Sequence, residues 1–292
     1  MIQNQNYEVH KIVGKKKYEI LVRVLGQGQY AKTYLARNIQ TQQYLACKVI
    51  SKEQIVHQLN QIENREVAER KKQKITERLQ NEVDNTSKMS HPHIVKFEDL
   101  VESPNNIYFF MEYCSGGTLE KLIQNRKRLS QADALPYFKQ LALGCGYLYE
   151  KNVIHRDLKP SNVLLQDNVI KIADFGLSKA MEEQIKEIAN DNTPWIGTPL
   201  YMSPQVIGQE QYSIKSDVWS LGCIFYEMLC GRTPYYHEKV QYLQLMIQNE
   251  NVQFPNDVQI SENMKKLITM MLAKTENARI SIVQVIEYLE QV

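Results

Sequence analysis

Asp157, Asn162 and Asp174 carry oxygen donors, Lys48 and Lys159 carry cations, and their spacing suits chemistry on phosphates. Asp157, Lys159 and Asn162 sit in HRDLKPSN, residues 155–162, a density of polar groups between apolar neighbours that a core rarely tolerates. The loop is either a solvated turn or an assembled site. Asp174 opens the tripeptide DFG at the end of the apolar run IKIA. Oxygen side chains at the ends of short apolar runs are the ligands that Mg²⁺ takes when held with nucleotide phosphates. A remaining carboxylate can accept a hydroxyl proton, and Lys159 can neutralise charge on a phosphoryl group in flight.

Lys48 lies inside LACKVI, an apolar strand-like run. A buried ammonium needs an anion, and phosphate oxygens or a helix carboxylate would serve; a lysine snorkelling from an edge strand is the other reading. In LGQGQYAKTY, Gly26 and Gly28 would let backbone amides approach phosphates closely, or simply turn a hairpin. Strand-like runs on both sides argue against the dinucleotide fingerprint, which needs a helix after the glycines.

The elements that must position these residues are legible in outline. YEILVRVL, KTYLARN, QYLACKVI, IVKFEDLV and IYFFMEY read as five successive antiparallel strands. Between the third and fourth, residues 61–88 read as a long polar helix, supported by Glu66 four before Arg70, whose basic face is either solvated or a dock for a partner. After Gly117 the period becomes helical. Ser130 with Asp133 resembles a capping box, followed by Leu135, Phe138, Leu141, Cys145 and Leu148, with Pro136 straining the early turns. Val218, Leu221, Ile224, Phe225, Met228 and Leu229 mark a second helix ending at Gly231, and Met264, Leu267, Ile268, Met271 and Leu272 a third. The fold class is α+β. Residues 1–17, rich in Gln and Asn and ending in three lysines, read as a polar leader.

A chain of 292 residues, 43% hydrophobic with net charge +2, is globular and large enough for two coupled domains; that charge gives no support to a nucleic-acid partner. Five scattered cysteines without metal-ligand spacing point to reduced thiols and a cytoplasmic location. The N-terminus lacks a signal-peptide core, and no apolar run of about 18 residues implies membrane insertion.

In order, GQGQYAKT, ACK, HRDLKPSN, DFG, the tripeptide SPQ and SDVWSLG resemble the signature set of the eukaryotic protein kinases, from Tyr18 to the C-terminus. The resemblance implies a bilobal fold: a five-stranded sheet and one long helix over 18–111, a hinge over 112–117, and a larger, mainly helical lobe over 118–292. It implies ATP and Mg²⁺ as cofactors, with Mn²⁺ as a substitute. Asp157 would orient the substrate hydroxyl, Lys159 would face the γ-phosphate, and Asn162 and Asp174 would bind the metal. Lys48 would hold the α- and β-phosphates and pair with Glu82 of the long helix, with Glu77 as the alternative. Leu25, Gly26, Gln27, Gly28, Gln29, Tyr30, Ala31, Lys32, Thr33, Ala46 and Leu164 would belong to the ATP site. Met111 would be its gatekeeper, and Glu112 and Cys114 would offer backbone groups to adenine. His155, Arg156, Phe175, Thr198, Gln205, Asp217 and Arg279 would be structural, Asp217 bracing the catalytic loop.

Lys159 and Thr198, the latter in GTPLYMSP, are residues that serine/threonine kinases carry where tyrosine kinases differ, so the implied acceptors are serine and threonine hydroxyls of proteins. Arg156 would pair with a phosphate on the activation segment, residues 174–205, where Thr193 and Ser178 are candidate sites for an upstream kinase. MEYCSGGTL, Ala31 in place of the third glycine, and IKIADFGLSKA resemble the unc-51-like autophagy-initiating kinases. NEVDNTSKMSHPHIV and YSIKSDVWSLGCIFYEML resemble the NIMA-related kinases of the cell cycle. All four catalytic positions are filled, which argues against a pseudokinase scaffold.

Two departures from the family pattern carry consequences. Gln205 stands where the family places a glutamate paired with an arginine that matches Arg279, so the charge-assisted part of that bond is lost, and Gln205→Glu is expected to stabilise. Asn85 and Thr86 stand where relatives place apolar residues, so the active state is expected to need phosphorylation or a regulatory partner.

Overall fold

The computed structural model describes residues 7–27, 31–53, 87–173, 199–208, 210 and 212–292. They fall into two compact units. The first holds the described residues up to Ser90 with Val95–Cys114; the second holds His91–Ile94 and the described residues from Ser115 onward.

In the first unit β1 (Val9–Val13), β2 (Tyr18–Gln27), β3 (Ala31–Asn38), β4 (Tyr44–Ser51), β5 (Phe97–Glu102) and β6 (Asn106–Glu112) form one antiparallel sheet, ordered β1-β2-β3-β4-β6-β5. The sheet has six strands where the sequence predicts five. The extra strand, β1, falls within the stretch read as a polar leader. It is an edge strand with Val9 and Ile12 exposed and only Val13 buried, so it lacks the alternation by which strands are recognised. Its pairing with β2 supplies what its own pattern lacks. The turn between them runs through Gly14, Lys15 and Lys16, all at positive φ, and none of the usual Asn-Gly or Asp-Gly signals marks it.

Alternation of side chains along each strand divides the sheet into two faces. One closes on Val13, Tyr18, Ile20, Ala36, Leu45, Cys47, Tyr108 and Phe110, with the Tyr18 and Phe110 rings stacked 3.9 Å apart. Burial pushes the Cys47 thiol far above its ordinary range, so it acts there as an apolar group. The opposite face carries the candidate nucleotide residues. The long helix predicted over 61–88 lies outside the described residues for most of its length, Glu77 and Glu82 with it.

The second unit begins with α1 (Leu119–Arg126) and α2 (Gln131–Glu150), followed by the hairpin β7 (Val163–Gln166) and β8 (Val169–Ile172). Asp167 and Asn168, both at positive φ, form its two-residue turn, a conformation these side chains tolerate better than most. Next come α3 (Pro204–Ile207), α4 (Ile214–Cys230), α5 (Val240–Asn249), α6 (Glu262–Met271) and α7 (Ile282–Glu290). Ser130 caps α2 by accepting from the Asp133 amide and donating to the Asp133 carboxylate. The inner face of α2 uses Ala134, with Leu135 only half-buried. α4 is buried on nearly every side, and Phe138 of α2 stacks on its Phe225 at 4.0 Å. It stops at Gly231, where φ is 72° and an added Cβ would lie 2.1 Å from the Lys127 carbonyl oxygen. No described helix is long and apolar enough to cross a membrane.

Candidate functional site

α2 delivers the chain to the HRDLKPSN loop, and α4 holds the loop from below. The Asp217 carboxylate accepts the His155 amide at 2.7 Å through Oδ2 and the Arg156 amide at 3.1 Å through Oδ1. Arg156 has φ 66°, the left-handed region that a residue with a Cβ enters at a cost, and the two charge-assisted bonds accepted by Asp217, from the His155 and Arg156 amides, fix it there. His155 is fully buried and uses both ring nitrogens. Nδ1 accepts the Asp157 amide at 3.3 Å, so Nε2 is the atom that donates to the Ala173 carbonyl at 3.0 Å. One imidazole thereby ties the loop to the residue preceding Asp174.

Asp157, Lys159 and Asn162 are brought together. Oδ2 of Asp157 accepts from Lys159 Nζ at 2.9 Å and from Asn162 Nδ2 at 3.0 Å. Asn162 Nδ2 also donates to the Asp157 carbonyl at 2.8 Å, and the Asn162 carbonyl accepts the Ala173 amide at 2.9 Å. With Nδ2 committed to Asp157, Oδ1 is the end of the Asn162 side chain turned elsewhere. A carboxylate and an amide oxygen on a backbone-anchored loop fit the hard-oxygen preference of Mg²⁺. Asp174, Phe175, Ser178, Thr193 and Thr198 lie outside the described residues.

On the first unit, register places Lys48 opposite Thr33 of β3 on one side and opposite Phe109 of β6 on the other. Ala46 lies opposite Leu35 and Met111 in the same way. Ala31, Thr33, Ala46, Lys48 and Met111 therefore share one face. Lys48 is buried, so the snorkelling alternative does not hold. Lys32 projects to the opposite face, its Nζ over the Tyr34 ring at 5.3 Å, so only its backbone is on the nucleotide side. Leu25, Gly26 and Gln27 end β2, and Gly28, Gln29 and Tyr30 lie outside the described residues. Glu112 ends β6, and Cys114 is buried.

In the second unit the chain from Gly116 to Thr118 runs against β7. Gly116 donates to the Leu165 carbonyl at 2.8 Å, the Leu165 amide donates to Gly117, and Thr118 bridges Leu164. An added Cβ on Gly116 would sit 2.6 Å from the Leu165 carbonyl oxygen, so the approach requires glycine. The Gly-Gly pair reads as a break in the sequence; its role as a backbone docking strip needed the tertiary pairing.

Gln205 engages Arg279, but not as a weakened glutamate. Its Oε1 accepts from Arg279 Nη2 at 2.8 Å while its Nε2 donates to the Lys274 carbonyl at 2.6 Å. Arg279 is buried and also donates to the carbonyls of Ala273, Lys215 and Lys274. Burial lowers its pKa to about 10, which still leaves it charged at neutral pH. Sequence reading missed Lys274, whose Nζ donates to the Tyr235 hydroxyl and the Ile247 carbonyl and lies 5.2 Å from the centre of the Trp219 ring. Burial pulls its pKa down to about 8. No local pattern in AKTENAR marks that burial.

The sequence profile described as protein kinase domain matches residues 19–289. CBL-interacting serine/threonine-protein kinase 20 of Arabidopsis thaliana is 36% identical over 94% of the chain. Serine/threonine-protein kinase atg1 of Dictyostelium discoideum is 34% identical over 90%. The chain spans 58% and 37% of these two proteins' lengths. A crystal structure of Rad53 in complex with AMP-PNP superposes with a TM-score of 0.76 at 26% identity, over 95% of this chain and 66% of that one.

Proposed function

Because the chain belongs to the protein kinase domain family, we propose that it transfers the γ-phosphoryl group of ATP to serine and threonine hydroxyls of proteins. The observation that carries this reading is the Asp157–Lys159–Asn162 cluster on a loop anchored by Asp217 and His155. The AMP-PNP of the Rad53 complex supports ATP as the donor, and the serine/threonine kinases among the relatives support the acceptor class.

In the reaction the acceptor hydroxyl oxygen forms a bond to the γ-phosphorus, and the bond from that phosphorus to the β–γ bridging oxygen breaks, releasing ADP. Asp157 orients the hydroxyl and takes its proton. Lys159, already within reach of Asp157, neutralises charge on the moving phosphoryl group. Lys48 holds the α- and β-phosphates from its buried strand position, and Glu82, or Glu77 as the alternative, would be its carboxylate partner. Asn162 and Asp174 would hold Mg²⁺, which supplies charge neutralisation at the phosphate oxygens. Asn162 offers Oδ1 because its Nδ2 is spent on Asp157.

Transfer from Mg·ATP to a mixed serine/threonine peptide library tests the reading. Wild type is expected to transfer, while Asp157→Asn loses at least about 10²-fold in kcat, the general-base scale, and Lys48→Met loses about 10²-fold or more through the missing cation at the phosphates. Nucleotide binding without transfer in wild type, even after phosphorylation of residues 174–205, would favour a nucleotide-binding scaffold instead. As the finer reading we place the chain in unc-51-like autophagy signalling in the cytoplasm, supported by the atg1 relative and by MEYCSGGTL. The CBL-interacting relative is as similar. The library's sequence preference discriminates between these subfamilies and the NIMA-related one.

A further inference from the structure

β1 is attached at a joint in the sheet. β2 leaves regular pairing with β3 between Ile20 and Val24, and again between Val24 and Gly26. The segment at the first irregularity is held from its other side. The Val22 amide donates to the Glu8 carbonyl at 3.0 Å, and Arg23 Nη1 donates to the Tyr7 hydroxyl at 2.6 Å. Side chains of the same segment reach further. His10 stacks on Tyr34 of β3, Tyr7 meets Tyr44 of β4 edge-on, and Lys11 Nζ donates to the Tyr108 hydroxyl of β6 at 2.9 Å. Seven residues thus fasten four strands, and they precede the span 19–289 that the family profile matches. Beyond the joint, β2 runs into Leu25, Gly26 and Gln27, where the glycine-rich loop begins.

We propose that residues 7–13 form a strap that fixes the end of β2, Leu25–Gln27, with Tyr7 and Lys11 as positioning residues for ATP. The inference rests on the reading of this sheet face as the ATP site. A strand whose register is broken on one side pivots at the break. Pairing on the second side removes that freedom during folding, so less ordering remains to be met when nucleotide binds. Releasing the strap returns the ordering cost to the binding step. The phosphoryl-transfer step itself stays untouched.

Full-length Lys11→Met, Tyr108→Phe, their double variant and Arg23→Gln are compared with wild type for Mg·ADP affinity, KM for ATP, KM for peptide, kcat and unfolding midpoint. The expected result is a rise of roughly three- to tenfold in KM for ATP and in the Mg·ADP dissociation constant, with kcat and peptide KM within about twofold. Lys11→Arg should restore ATP affinity, and the double variant should be no worse than the worse single one, because both remove the same bond. Unchanged nucleotide affinity in Lys11→Met and Arg23→Gln would overturn the strap, whether or not their unfolding midpoints fall. So would equal shifts in peptide KM and kcat. A wild type that binds no nucleotide would instead remove the functional reading on which the strap depends.

Discussion

Asp217 illustrates how one side chain can hold a strained site. Its two oxygens take the amides of His155 and Arg156, and Arg156 keeps a left-handed backbone whose cost is about 1–3 kcal/mol. An asparagine at this position has one acceptor oxygen and would turn an NH₂ group toward a donor. Asp217→Asn is therefore expected to lower stability by about 1.5–3 kcal/mol. It should also lower kcat by about 10²-fold, through misplacement of Asp157. Denaturant unfolding and steady-state kinetics check both, and an unchanged kcat would show that the loop holds itself. Gln205 revises a sequence expectation at the same scale. Glutamate there would strengthen the bond to Arg279 but could not donate to the Lys274 carbonyl, as Gln205 Nε2 does. The two effects oppose, so Gln205→Glu is expected to lie within about 1 kcal/mol of wild type, while Gln205→Ala loses about 1–3 kcal/mol. A large gain for Gln205→Glu in thermal unfolding would restore the simpler charge argument.

Between helices, two cations meet one indole. Lys274 and Arg279 each lie 5.2 Å from the centre of the Trp219 ring on α4, and both are partly or wholly withdrawn from water. Cation–π attraction and the carbonyl acceptors compensate for part of that desolvation. Lys274 shows that compensation is incomplete, because burial holds its pKa at about 8 against an ordinary 10.5. The folded form binds this proton less tightly than the unfolded form, so between about pH 8 and 10.5 the unfolded form carries more of it. Stability must then rise with pH across that window, and the burial penalty is fully present below it. Urea unfolding midpoints from pH 7 to 9.5 should increase for wild type and be flatter for Lys274→Met. A falling wild-type midpoint would contradict the assignment.

At the scale of the whole molecule, the proposed function divides the work between the two units by their chemistry. A sheet offers a flat face on which alternate residues of several strands line up, which suits a nucleotide; a helical core can anchor a polar loop rigidly, which suits a proton acceptor. Asn85 and Thr86 lie outside the described residues, and their polarity in a family position usually apolar argues for an enzyme that needs activation. Unphosphorylated wild type is expected to work below its phosphorylated rate, and Thr86→Leu to recover part of the difference. Equal rates for all three preparations would remove that idea.

The chain's local patterns determined most of what is described above. Short runs rich in Val, Ile, Leu and Tyr marked five strands of the first sheet, helical periods marked α2, α4 and α6, and the spacing within HRDLKPSN marked the Asp157–Lys159–Asn162 cluster. These are signals carried by neighbours a few residues apart. Tertiary structure alone decided the rest. β1 is a strand because β2 lies beside it, and its exposed Val9 and Ile12 carry no alternation of their own. Gly116 is irreplaceable because Leu165 approaches it, and Lys274 is half-buried because its ammonium lies over the rings of Trp219 and Tyr235. Each depends on contacts between residues distant in the chain, and no local pattern records which partner will arrive.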